Sequence, residues 1–193
     1  SADEIAALAR SYTELRAVPN VARSSTGTWS VLGQSPVQWG LPGDQPIPGD
    51  FNGDGFADIA VYRRSNGTWY VRNQFAVQFG LPGDVPVSRD FSGDGVTDVA
   101  VWRRSTGEWF VRNQFTIPFG LSKDVPLPEY AKAEPPPVRD FDGDRRDDLT
   151  VFRPSNSTWF TRQSSTNYST FTMQQWGLSG DLPVSGDFDG VGR

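Results

Sequence analysis

The sequence predicts an all-β fold: a β-propeller of four-stranded blades, three complete and one split between the chain's two ends, behind a short N-terminal α-helix. Three observations carry that expectation. An aromatic repeat recurs along the chain, its Trp residues at positions 29, 69, 109 and 159 being spaced by 40, 40 and 50 residues. Apolar residues alternate with period two inside each copy, as strands require. Turn formers are abundant, with Gly 20 and Pro 15 in 193 residues, as expected of short strands joined by tight turns.

Each copy opens on a turn and a Trp: G-T-W at 27–29 and 67–69, G-E-W at 107–109, S-T-W at 157–159. An aromatic-Gly-Leu element follows, as Trp39-Gly40-Leu41, Phe79-Gly80-Leu81, Phe119-Gly120-Leu121 and Trp176-Gly177-Leu178. Next comes D-x-P, from Asp44, Asp84, Asp124 and Asp181. Stretches such as D-V-A-V-W-R-R (98–104) and W-F-V-R-N (109–113) read as alternating strands, and N-Q separates the latter from F-T-I-P-F-G (115–120). Four strands in about 40 residues is the signature of a propeller blade. The blades are expected at 44–80, 84–120 and 124–177, with a fourth made of 20–40 and 181–193. Joining those two pieces, within one chain or between chains, would cover open sheet edges. The repeated aromatics are expected between blades. Insertions fall at 127–137 and after Arg162.

Residues 1–19 read differently. Ser1 with Glu4 suits a capping box, and Ile5, Leu8, Tyr12 and Leu15 form one apolar stripe before Pro19, so an amphipathic helix is expected there.

Composition narrows the chemistry. The chain has no Cys and no His, which removes disulfides, thiolate metal sites and the commonest general base. Its formal charge of −5 rests on Asp rather than Glu, 18 against 5. Such a bias suggests short, stiff oxygen ligands. Neither a nucleic-acid nor an anionic-membrane partner follows from that balance, and no apolar run reaches the roughly 18 residues of a membrane span.

Three nonapeptides concentrate the acidic residues: D-F-N-G-D-G-F-A-D at 50–58, D-F-S-G-D-G-V-T-D at 90–98 and D-F-D-G-D-R-R-D-D at 140–148. Oxygen-bearing side chains fall at positions 1, 3, 5 and 9, with Gly at position 4. Ca²⁺ takes six to eight oxygens at about 2.3–2.6 Å, and alternating short carboxylates can wrap one ion. Position 7 can offer only a backbone carbonyl. Position 6 favours Gly for its positive φ, but Arg145 stands there in the third loop. About three Ca²⁺ ions are expected. A fourth start, D-F-D-G-V-G-R (187–193), carries Val191 at position 5 and is expected to be empty.

These loops resemble the D-x-D-x-D-G-x-x-D calcium loops of FG-GAP/VCBS repeats, the blades of integrin-α-type heads, and Phe79-Gly80 and Phe119-Gly120 resemble the F-G of that family. The resemblance implies three shells: Asp50, Asn52, Asp54, Phe56 and Asp58; Asp90, Ser92, Asp94, Val96 and Asp98; Asp140, Asp142, Asp144, Arg146 and Asp148. The resemblance does not fix one function, but the loops, the split blade, the apolar helix and the missing catalytic groups together lead to the expectation of a secreted, non-enzymatic module for adhesion or self-assembly, with a protein partner or other copies of itself. A carbohydrate-binding reading is the alternative, with Arg63, Arg64 and Trp69, and Arg103, Arg104 and Trp109, as candidate glycan contacts. Further readings are an accessory domain of a polysaccharide-acting enzyme and a catalytic domain such as a calcium-assisted lyase or a two-carboxylate glycosidase, against which stands that Glu108 and Glu129 show no evident partner. Asn66, Asn156 and Asn167 stand in Asn-x-Ser/Thr sequences, and the first two fall in expected hairpin turns, where Asn is favoured without glycosylation.

Overall fold

A computed structural model of the chain describes residues 20–31, 33–127, 140–178 and 181. The helix expected over 1–19, most of the insertion at 127–137 and the segment 182–193 lie outside the described residues.

The described chain is all-β. Its four antiparallel sheets follow one another along the sequence, each a meander in which every strand pairs with the one before it. The first sheet has three strands, β1 (Asn20–Arg23), β2 (Thr28–Val31) and β3 (Val37–Gln38). The second holds β4 (Gln45–Pro46), β5 (Ala60–Arg63), β6 (Thr68–Val71) and β7 (Phe75–Gln78). The third holds β8 (Val85–Arg89), β9 (Asp98–Arg103), β10 (Glu108–Val111) and β11 (Phe115–Pro118). The fourth holds β12 (Val125–Pro126), β13 (Leu149–Arg153), β14 (Thr158–Arg162) and β15 (Phe171–Gln175). The one helical element among the described residues is a 3-10 turn at Ser164–Thr166.

The core lies between successive sheets. Phe51, Ala60, Tyr62, Trp69 and Val71 of the second sheet pack against Val99 and Val101 of the third. Phe91, Trp102, Trp109 and Val111 of the third sheet meet Leu149, Val151 and Tyr168 of the fourth in the same way. Trp69 and Trp109 are fully buried, and their indole N–H groups donate to the carbonyls of Phe79 and Phe119 at 3.0 Å. Burying a Trp without leaving its N–H unpaired is what that bond achieves.

Period-two alternation describes only some strands. In β6 and β10 alternate residues are buried, but Val99, Ala100, Val101 and Trp102 of β9 are all buried. The strand expected over 98–104 is thus present as β9, with both of its alternating faces buried. The second strand of a sheet is covered on both faces by its neighbours, so both of its faces are apolar.

Tight turns set the spacing. Gly67 and Gly107 have φ of 67° and 70°, and a Cβ there would lie 2.3 and 2.1 Å from the carbonyl oxygens of Gly80 and Gly120. That close approach lets Phe79 N–H and Phe119 N–H donate to Gly67 and Gly107 at 2.9 and 2.7 Å, holding each sheet's last strand to its hairpin.

A repeated ion pair locks the start of each complete sheet. Asp44, Asp84 and Asp124 are buried, and each accepts two hydrogen bonds, at 2.8–3.0 Å, from the guanidinium of Arg63, Arg103 or Arg153. The same carboxylates accept the backbone N–H of Leu41, Leu81 and Leu121 at 2.8, 2.9 and 3.0 Å. The pair lowers the Asp44 pKa despite the opposing effect of burial, which is the larger single influence. Each Arg also lies over an aromatic ring, Tyr70, Phe110 or Phe160, at 4.2–4.4 Å.

Removing one member of a buried pair strands the other charge. Arg103→Ala is expected to destabilise the protein by about 3 kcal/mol in urea unfolding. A loss under about 0.5 kcal/mol, the scale of an exposed pair, would show that the lock is dispensable.

Candidate metal centre

Each acidic nonapeptide connects the first and second strands of a complete sheet. Its first Asp builds the loop. Asp50 Oδ1 accepts the N–H of Gly53 and Asp54 at 2.7 and 3.2 Å, while Oδ2 accepts that of Gly55 at 2.8 Å. Asp90 repeats this with Gly93, Asp94 and Gly95, and Asp140 with Gly143, Asp144 and Arg145. Position 5 turns its carboxylate onto the N–H two residues on: Asp54 to Phe56, Asp94 to Val96 and Asp144 to Arg146, at 2.8–2.9 Å. Position 9 closes the loop, with Asp58, Asp98 and Asp148 accepting the N–H of Phe51, Phe91 and Phe141 at 2.8–2.9 Å.

Position 3 differs among the loops. Asn52 donates to Asp54 Oδ2 at 3.1 Å, and its Oδ1 accepts Asp54 N–H at 2.8 Å. Ser92 donates to Asp90 at 3.1 Å. Asp142 supplies a full carboxylate. One oxygen each from Asp140, Asp142 and Asp148 lies within 4.8 Å of the others. Oxygens at that spacing can all touch one ion at about 2.4 Å, so the third loop fits a calcium-sized cation. Among the described residues such a gathering of three carboxylates is found in the third loop, at positions 1, 3 and 9. The position-7 residues contribute no side-chain oxygen: Phe56 is largely exposed, and the Arg146 guanidinium turns away to donate to Phe91 and Ser164 carbonyls at 3.1 and 3.3 Å.

Electrostatics agree with the geometry. Asp148 is fully buried, and burial together with the nearby Asp142 charge pushes its pKa up to about 6. Burial also raises Asp98, with Asp90 adding to it. Asp44, Asp84 and Asp124 have Arg partners. The loop carboxylates instead face backbone N–H groups, and in the third loop they also converge on one another, an arrangement that a divalent cation would relieve.

Sequence reasoning missed the groups that cover the third loop. The insertion after Arg162 folds back through the 3-10 turn. Ser164 N–H donates to Asp148 Oδ1 at 2.7 Å, and its hydroxyl donates to Asp144 at 2.8 Å. The Ser165 hydroxyl donates to Asp142 Oδ2 at 2.6 Å. Length was the only signal, the Trp spacing of 50 against 40. Asp147, which had no assigned role, ties neighbouring loops: its N–H donates to Asp90 O at 2.9 Å, and its carboxylate accepts Asp90 N–H at 3.2 Å. Thr97 N–H donates to Asp50 O in the same manner. The three loops thus form a contiguous row.

Residues 43–71 match the FG-GAP repeat family model. That FG-GAP match spans β4, the first acidic loop, β5 and β6, and the same strand–loop–hairpin unit recurs in the third and fourth sheets. No curated protein and no solved structure matches the chain. No helix among the described residues is long and apolar enough to cross a membrane.

The glycan contacts expected at Trp69 and Trp109 are not available. Both rings are fully buried, and Arg63 and Arg103 are engaged by Asp44 and Asp84.

Arg145 adopts φ of 72°, where Gly55 and Gly95 have 85° in the other loops. A side chain in that region costs about 1–2 kcal/mol, partly offset by the greater freedom Gly has when unfolded. Arg145→Gly is expected to raise stability by about 1 kcal/mol in chemical denaturation. A loss of stability would show that the Arg145 side chain contributes more than its backbone conformation costs.

Proposed function

We propose that this chain is a non-enzymatic, extracellular repeat module whose sheets are blades of a β-propeller. In this reading three Ca²⁺ ions rigidify the row of acidic loops for adhesion or assembly. The observation that carries it is the convergence of Asp140, Asp142 and Asp148, with Asp148 fully buried and its pKa raised, in a loop design repeated at the same place in two further sheets. The FG-GAP match supports an extracellular repeat protein.

The residues that would hold the ions are the side chains at positions 1, 3, 5 and 9 of each loop, with the carbonyls of Phe56, Val96 and Arg146 as the expected additional oxygens. Bound Ca²⁺ supplies positive charge to carboxylates that the fold has already gathered. The formal charge of −5 would become about +1 with three divalent ions. Because the loops bond to one another through Thr97 and Asp147, ordering one loop restrains the next. The module then acts as a rigid presenter of surface rather than as a catalyst.

Extracellular calcium modules bind with Kd of about 10⁻⁴–10⁻³ M, so at millimolar calcium the tighter end adds about 1.4 kcal/mol per site. Calorimetric titration is expected to show about three equivalents of Ca²⁺. Chelation is expected to lower Tm, and Asp140→Asn to remove about one equivalent. A Tm that ignores both calcium and chelator would sink the reading.

A further inference from the structure

The junction between neighbouring sheets is built three times from the same parts. Gly40, Gly80 and Gly120 each leave room for the valine of the next sheet, so that a Cβ on them would lie 3.2, 3.2 and 3.4 Å from Val61, Val101 and Val151. Those valines are 3%, 1% and 0% exposed. Two residues after each valine stands the Arg that grips the buried Asp. At the junction after the first sheet, the Trp39 indole N–H also donates to the carbonyl of Tyr70 at 3.2 Å.

Both halves of a fourth such junction are present and apart. The strand pairing sets Val21 opposite Ser30 and Arg23 opposite Thr28, as Val61 lies opposite Tyr70 and Arg63 opposite Thr68. Val21 is 69% exposed, and Arg23 is exposed with no side-chain partner among the described residues. At the other end, Leu178 N–H donates to Asp181 Oδ2 at 2.8 Å, and Asp181 N–H donates to Leu178 O at 3.1 Å, the same turn that Asp44, Asp84 and Asp124 form. Asp181 is exposed and has no guanidinium partner among the described residues. Gly177 has φ of 109° and no valine against it, and Trp176, the counterpart of Trp39, is 74% exposed. Exposed Val21 and Trp176 mean that the first and last sheets do not cover each other within the chain.

We propose that a second copy of this chain occupies these faces. Trp176, Gly177 and Asp181 of one copy dock on Val21, Arg23 and Ser30 of the next, and Arg23 grips Asp181 as Arg63 grips Asp44. The complementary charges and the three internal junctions specify the fit. Because the two patches differ, the contact is head-to-tail. It is reversible: Thr172 and Gln174 stand where Phe115 and Ile117 pack in the third sheet, and Ser30 replaces the aromatic ring beneath the Arg. Polar faces of this kind belong to non-obligate contacts. The proposal extends the assembly reading above but does not require calcium.

Light scattering on the full chain tests it. The wild type in millimolar calcium is expected to rise with concentration above the 21.3 kDa of one chain. R23D and D181R each set like charges together at the contact, and each is expected to stay at monomer mass. In an equimolar mixture Arg23 of the D181R chain meets Asp181 of the R23D chain, and the two substituted positions also carry opposite charges, so mixing is expected to raise the mass above that of one chain again. The double variant R23D/D181R is expected to associate again, which shows that the single variants had not simply misfolded. A wild type that remains a monomer at every concentration, or single variants that stay apart when mixed, would overturn the proposal. Calorimetry on the same samples separates the two readings. Normal calcium binding by a monomeric wild type defeats only the docking, whereas association without calcium binding defeats only the calcium reading.

Discussion

Everything in this architecture depends on how the repeat handles buried carboxylates. Asp44, Asp84 and Asp124 sit where one sheet hands the chain to the next, and each is almost fully removed from water. Desolvating a carboxylate is costly, and its position is stable only because one Arg and one backbone N–H satisfy it together. That requirement places the Arg on the second strand of the sheet, facing the turn at the sheet's start. It also sets the aromatic ring under the guanidinium. The turn, the first two strands and the neighbouring sheet are thereby fixed by one group.

The acidic loops use the same residue type with a different compensation. Asp50, Asp90 and Asp140 each gather three backbone N–H groups, so the loop acquires its shape from its first residue. Asp98 and Asp148 then hold their protons more tightly, chiefly because they are buried, with the nearby charges of Asp90 and Asp142 adding to the effect. Paired Asp stabilises a joint, whereas clustered Asp creates a demand for positive charge. The two uses can be told apart only by what faces the carboxylate, since both occur beside Gly and aromatic residues in the sequence.

That is also the limit of what the sequence shows. The Trp period, the D-x-P starts and the acidic spacing place the sheets, their order and the oxygen-bearing positions of each loop. The repeat also places its aromatics between sheets, as Trp69 and Trp109 are found, but it does not exclude a ligand-facing Trp, since an exposed and a buried Trp share the same motif. Arg63 and Arg103 looked free for a ligand until their Asp partners, nineteen residues earlier, came into contact. Ser164 and Ser165 were illegible for another reason. Their approach to the third loop requires the chain to reverse through Asn167 and Tyr168, which have φ of 52° and 59°, and no local pattern encodes that reversal.

The third loop shows how the repeat tolerates divergence. Phe51 and Phe91 are buried at the second position of their loops, whereas Phe141 is 51% exposed. Tyr168 from the insertion takes over the packing instead. Its ring lies 4.7 Å from Phe115, and its hydroxyl donates to Asp147 O at 3.1 Å. Having lost its own aromatic anchor, the loop is held from outside by Tyr168, Ser164 and Ser165. External support of this kind makes a positive φ at Arg145 affordable where the other loops rely on Gly. This loop keeps the backbone hydrogen bonds of its first, fifth and ninth positions, and brings three carboxylates together, even though its sequence departs furthest from the repeat. What the repeat keeps between its copies is thus the bonding of its Asp side chains to the loop backbone, and the packing that supports it is free to change.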